Sequence, residues 1–361
     1  MRACSCNSLH GLWHVCRAAG AGLPLVTQMK SRIFFYLRNV NVAGLPKTKH
    51  EYWDWLTTGH SLDESWGRYH WTLLTFLNLK GGKFSPVITD EPPDEGVILC
   101  HRDDMIASEK RRELQYWVCL QVDRNSPALE ANHHVFHNSR QRLRYTNHYS
   151  FIPPWLQSNL IPRDRHRGSK VENIAYFGYE ANLHESLRTS NFRAQLHDLD
   201  LNMIFVPPAK WHDYRETDVL LGIRTFGEGS DHHRKPALKL MNAWAAGVPA
   251  VLGCESAYRA IGVNATDYIE AISSEDLLEA LCRLKRRPDL VKALTENGRR
   301  KVNSYSDVAN INRWELLLET RILPDYEAMV RSSFRRKLFT FKLELLRRIA
   351  WRAPALFGTA D

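Results

Sequence analysis

The sequence predicts an α/β protein made of two doubly wound halves, and three observations carry that prediction. Short apolar runs alternate with helical stretches along most of the chain, the pattern of parallel strands joined by helical crossovers. The alternation is interrupted by a proline-rich, highly charged segment at 152–167 and restarts after it. The 361 residues are too many for one ordinary core and suit two.

Residues 1–28 show neither strand alternation nor a helical stripe, and no acidic residue precedes Glu51. They are expected to be a disordered extension. The stretch Leu12–Val26 is broken by His14, Arg17 and several glycines, which makes a poor targeting peptide. The ordered chain is expected from about Met29. Ile33–Leu37 has the continuous apolar character of a buried parallel strand. A polar loop with Gly44 and Pro46 follows, then aromatic-rich helical stretches at His50–Leu56 and Arg68–Leu79. Further strands are expected at Pro86–Thr89, Val97–Cys100, Tyr116–Val122 and His134–His137, completing a first domain over 29–151.

Residues 152–170 are expected to be a linker, with three prolines and the run Arg163-Asp164-Arg165-His166-Arg167. In the second domain, 171–320, strands are expected at Asn173–Phe177, Met203–Val206, Val219–Ile223, Ala250–Leu252 and Tyr268–Ile272. Helices are expected at Leu183–His197 and Pro236–Ala246. Ser273 to Asp276 has the Ser-x-x-acid form of a capping box, opening a helix to about Arg286. Pro288 can start another, with Asn297-Gly298 near its end. The last part, 321–361, differs from both halves. It is helical and basic, with Arg335, Arg336, Lys337 and Lys342 among Phe334, Leu338, Phe339 and Phe341.

Composition narrows the function class. The chain is 44% hydrophobic and 25% charged, as soluble globular proteins are, and no apolar run is long enough to span a bilayer. The net charge of +9 suits an anionic partner: a nucleotide, a polyanion or a membrane surface. Seven cysteines without a CxxC pair suggest neither a disulfide framework nor a zinc knuckle, and a reducing cytoplasm is the simpler expectation.

The run from Asp218 to Tyr258 carries the chemistry. A strand, Val219–Ile223, is followed by Arg224, a loop rich in Gly, Ser and His, and a helix opened by Pro236. That helix starts at the carboxyl edge of the sheet, where open α/β folds bind ligands and where free N–H groups favour a phosphate. Arg234, Lys235 and Lys239 add positive charge to the same place.

The segment Lys235-Pro236-Ala237-Leu238-Lys239-Leu240-Met241-Asn242-Ala243-Trp244-Ala245-Ala246-Gly247-Val248-Pro249 resembles the donor-site helix of GT-B glycosyltransferases. Asn173–Gly178, Trp211-His212-Asp213-Tyr214, and Ser256 with Tyr258 resemble neighbouring parts of that domain. The resemblance implies two Rossmann-like domains with a cleft between them, plus a C-terminal helix, and a nucleotide-diphosphate sugar donor. It places Arg224, Arg234, Lys235, Lys239, Asn242 and Tyr258 at the donor. Many retaining members carry two glutamates where this chain has Arg234 and Asn242. The Lys-Leu-x-Asn-Ala pattern is similar instead to bacterial fucosyltransferases and polysaccharide glycosyltransferases, where the lysine meets the donor phosphates. The implied activity is transfer of a hexose-type sugar to a hydroxyl of a glycan or other acceptor, without a metal or other cofactor.

An inverting transferase needs a base for the acceptor hydroxyl, expected at a strand end of the first domain. Asp103 and Asp104, in the cluster after Val97–Cys100, are the expected base, with Asp123 as second choice. The loop Asn39–Lys47 is expected to form the acceptor lip, where Gly44 allows close backbone approach. His133, His134 and His137 invite a metal site, but strand alternation splits them between faces and no metal is expected there. The basic tail is suited either to an anionic membrane face or to bracing the first domain. The rival functions are a non-catalytic nucleotide-sugar binder or epimerase, and a nucleic-acid-binding protein, for which no motif of recognised spacing is present.

Overall fold

The computed structural model describes residues 32–59, 66–105, 111–124, 127–143, 145–227 and 232–352. The expected extension at 1–28 lies outside them.

Six parallel strands form the first sheet: β1 (Ile33–Tyr36), β2 (Val87–Thr89), β3 (Glu95–His101), β4 (Leu114–Leu120), β5 (His133–Phe136) and β6 (Tyr149–Phe151), in the order β2-β1-β3-β4-β5-β6. The central strands β3 and β4 are buried on both faces, which explains their near-continuous apolar sequence. The period of two divides their side chains. Phe35, Val97, Leu99, Val118 and Leu120 enter one core, while Tyr36, Ile98, Cys100, Trp117 and Cys119 enter another on the opposite face. The helix α1 (Lys49–Gly59) covers the first core. So do α3 (Leu74–Leu79) and the π-helical turn Tyr69–Leu73, which joins it to the short α2 (Trp66–Arg68).

The second sheet has five parallel strands: β7 (Asn173–Phe177), β8 (Asn202–Val206), β9 (Val219–Gly222), β10 (Ala250–Leu252) and β11 (Ile269–Glu270), in the order β11-β10-β9-β7-β8. Its helices are α4 (Ser190–Asp198), α5 (Leu238–Ala246), α6 (Ser256–Ile261), α7 (Ser274–Arg286) and α8 (Pro288–Val302). Ser273 caps α7 as expected, accepting from the Asp276 N–H at 3.1 Å. Gly247, at φ 70°, supplies the left-handed residue that ends α5 and turns the chain into β10.

Three expectations need correction. Residues 152–170 are firmly packed: Ile152 and Trp155 belong to the first core, and the Trp155 Nε1–H donates to Thr75 Oγ1 at 2.8 Å. Arg163 and Arg167 converge on the buried Asp218, which also accepts from the backbone N–H groups of Glu172 and Asn173 at 2.9 Å. The second half also ends before 320. After α8 the chain returns to the first half through α9 (Asp307–Leu317), a π-helical turn Leu318–Ile322 and α10 (Leu323–Arg331). Trp314, Leu317, Leu318, Ile322 and Tyr326 join the first core. Helix α11 (Ser333–Arg352) then lies along the first half, where Arg336 pairs with Glu113 and Arg347 with Glu130. Thirdly, α5 begins at Leu238, with Ala237 as its N-cap, rather than at Pro236. Two Rossmann-like halves with facing strand ends, and a C-terminal segment crossing back, make the GT-B arrangement.

Candidate active site at the cleft

The second sheet changes direction between β7 and β9. The chain runs from β7 outward to β8, then returns across to β9. Such a switch point leaves a crevice beyond the strand ends. Gly178 follows β7 there, Arg224 follows β9, and α5 points its first turn at the same crevice. Lys239 lies between the two strand ends. A Cβ on Gly178 would stand 3.0 Å from its Nζ, and one on Gly222 3.2 Å from its Cδ, so both glycines make room for the lysine. The ammonium donates to the Phe177 carbonyl and sits 5.2 Å from the Tyr176 ring centroid. Burial, and then the Arg224 charge, push its pKa down to about 7. Arg224 is held by both oxygens of the buried Glu255, at 2.5 and 2.6 Å.

The first half supplies the opposite wall. His101 ends β3 and is neutral at ordinary pH, since burial lowers its pKa to about 4. After β4, Val122 takes φ 50°, a conformation costly for a β-branched residue, and the chain turns Asp123 into the cleft. The Asp123 carboxylate accepts a 2.5 Å bond from Lys235 across the cleft. Burial alone would raise its pKa, but the Lys235 charge outweighs that and holds the group below the usual carboxylate range. Tyr179, Trp211 and Tyr214 add an aromatic wall, with Tyr214 stacked on Phe177 at 4.0 Å. The cleft holds about 290 Å³. A cavity of about 600 Å³ lies under α11, at the opposite end of β4, away from these groups.

Of the expected site residues, Arg224, Lys235, Lys239 and Asn242 line this cleft, while Arg234 stands outside its lining. Asn242 uses its Oδ1 to accept from the Gln157 N–H at 3.0 Å, tying the crossover segment to α5. Tyr258 is buried behind the strand end rather than exposed to the cleft. The expected base does not face it. Asp104 turns into the protein, where Arg68 pairs with it at 2.5 Å and the Arg38 N–H donates to it. Asp103 is clasped by Arg124 through three hydrogen bonds of 2.5 to 3.0 Å. The carboxylate that does line the cleft is Asp123, the second choice. Gly44 is exposed in a short 3-10 turn and stands outside the cleft lining. The three histidines are each engaged locally: His133 with Ser150, His134 with the Ala128 carbonyl and His137 with the Ile152 carbonyl. Sequence reasoning missed Glu255 and Arg124, whose partners lie far along the chain. Trp211 and Tyr214, part of the sequence resemblance, also line the cleft.

No protein-family model and no curated protein matches the chain. Among solved structures it is similar to the sucrose-phosphate synthase of Thermosynechococcus elongatus, at 11% identity and TM-score 0.41, over 62% of this chain and 73% of that one. It is also similar to S. aureus TarM in complex with UDP, at 11% identity and TM-score 0.47, over 62% and 56%. A third is the pneumococcal O-GlcNAc transferase GtfA with UDP and GlcNAc, at 10% identity and TM-score 0.45, over 66% and 57%. The chain thus spans little more than half the length of the last two.

Proposed function

We propose that the chain transfers a hexose-type sugar from a nucleoside-diphosphate donor to a hydroxyl group, without a metal. One observation carries this reading: Arg224, Lys235 and Lys239 converge at the switch point, opposite the carboxylate of Asp123. A diphosphate there would meet the three cations and the first turn of α5. Tyr179 and Trp211 give a nucleobase a stacking surface. As the acceptor oxygen bonds to the anomeric carbon, the bond from that carbon to the diphosphate breaks. The hydroxyl proton passes to Asp123, and the charge left on the departing phosphate is neutralised by Lys239 and Arg224.

The test is a calorimetric titration with a panel of nucleoside diphosphates, followed by transfer assays on Asp123→Asn and His101→Gln. A binding diphosphate, with transfer reduced on the order of a hundredfold or more in Asp123→Asn, supports the assignment. Normal turnover in Asp123→Asn with loss in His101→Gln moves the base to His101. Absence of binding by every diphosphate refutes the donor site itself.

A further inference from the structure

Helix α11 has two different faces. Leu343 is its buried residue, and Phe339 on the same inner side packs against Arg111, 5.0 Å from the ring centroid. Arg336 and Arg347 also reach inward, to Glu113 and Glu130. The outer side carries Phe334, Leu338, Phe341 and Leu345, exposed by 72%, 53%, 65% and 47%. Their spacing of four, three and four residues keeps them in one stripe. Trp351 adds an indole 85% exposed near the C-terminal end. An apolar stripe of this length on a helix that is already docked by its other side has no function in the core.

The charges beside the stripe select its occupant. The helix has seven cations and a single acid, Glu344. Lys337 and Arg348 border one edge of the stripe, Arg335 and Lys342 the other, and all four are exposed. The same spacing would suit a coiled coil with a second copy of the chain. In that pairing, however, the basic edges would face each other and repel. An anionic lipid surface instead attracts both edges while the aromatic and leucine side chains enter the headgroup boundary.

We infer that α11 is a membrane-docking helix, which seats the protein on an anionic bilayer through Phe334, Leu338, Phe341 and Leu345. The inference stands independently of the proposed transferase activity. It is tested on the full chain by co-sedimentation with vesicles of phosphatidylcholine alone or mixed with phosphatidylglycerol. The wild type should pellet with the mixed vesicles, be released by salt, and leave the neutral ones unbound. Phe334→Ser/Leu338→Ser/Phe341→Ser should lower partitioning about a hundredfold or more. Lys337→Gln/Lys342→Gln/Arg348→Gln should lower it about fivefold for each cation removed at low salt. Both variants change exposed side chains only, and unaltered thermal melting confirms that the fold is kept. Failure of the wild type to bind anionic vesicles overturns the inference, as does equal binding by the apolar variant. A wild-type dimer that the apolar variant makes monomeric assigns the stripe to a second copy and also overturns it.

Discussion

Replacing Lys239 with methionine separates what this lysine costs the fold from what it offers a ligand. In the folded protein its pKa falls from the usual 10.5 to about 7. At neutral pH, holding the cation there costs at most about 4–5 kcal/mol, at about 1.4 kcal/mol for each factor of ten. Two effects reduce that ceiling. The side chain is only half-buried and opens to the cleft, so solvent screens it. Methionine also leaves the Phe177 carbonyl without its donor, a loss of about 1–3 kcal/mol. The variant should therefore be more stable than the wild type by about 1–2 kcal/mol at neutral pH, or a Tm higher by about 2–4 °C for each kcal/mol. The pH dependence has a definite sign. The unfolded chain holds the extra proton between about pH 7 and 10.5, so wild-type stability rises with pH through that window. The advantage of methionine should shrink over the same range. Ligand binding should respond the other way. A diphosphate favours the charged lysine, so binding takes up protons near neutrality and weakens as pH rises through about 7. Lys239→Met should lose about 1.5–3 kcal/mol of nucleoside-diphosphate affinity, together with that proton uptake. Thermal melts across neutrality and calorimetry in two buffers of different ionisation heat measure both effects. A less stable variant, or equal dissociation constants with no buffer-dependent heat, refutes the reasoning.

Three other outcomes are expected. Asp123→Asn should slow transfer and tighten nucleoside-diphosphate binding severalfold, because Lys235 loses its competing partner; calorimetry on the variant measures this. Asp218→Asn should lower stability by about 3–5 kcal/mol in denaturant titrations, by removing the charge buried between Arg163 and Arg167. Burial tends to raise the Asp218 pKa, but Arg167, the backbone of Asn173 and Glu172, and Arg163 together hold it below the usual range, so its contribution is present above that range and disappears as pH falls through the depressed value. Gly298→Ala places a Cβ only 2.4 Å from Trp244 Cδ1, where α8 meets α5, and should cost about 1–3 kcal/mol despite alanine's better helix propensity, as read from Tm.

The strands were legible because parallel strands buried on both faces must be apolar throughout, as β3 and β4 are. Strand β6 was not, since Tyr149–Phe151 is short and no more than half-buried. Helix α9 is not legible in the sequence either. Its exposed Val308 and Leu316 blur its periodicity, and Trp314 acquires meaning only by packing into a core that begins at Ile33 and includes Trp155. The cationic side of the cleft was readable because Arg224, Lys235 and Lys239 lie on consecutive elements at one strand edge. Its acidic side was not. Asp103, Asp104 and Asp123 all follow apolar strands, and what distinguishes them is the distant partner each acquires: Arg124, Arg68 and Lys235. Local sequence does not specify which carboxylate a tertiary arginine will claim.

Those partners also bear on how the proposed reaction would be ordered. With its carboxylate bound to Lys235, Asp123 is held in its ionised form and is a weak base. In the proposed reaction a donor diphosphate would compete for the same ammonium. Once Lys235 turns toward phosphate, the stabilising charge beside Asp123 weakens while its burial remains, so its pKa rises and it becomes a better proton acceptor. His101 lies on the same wall and stays neutral, and among the described lining residues of that wall Arg124 is the cation, which Asp103 already engages. In the proposed reaction, a cleft wired in this way would activate the acceptor hydroxyl only after the donor is seated. Water entering an empty cleft would then meet a carboxylate already neutralised by Lys235.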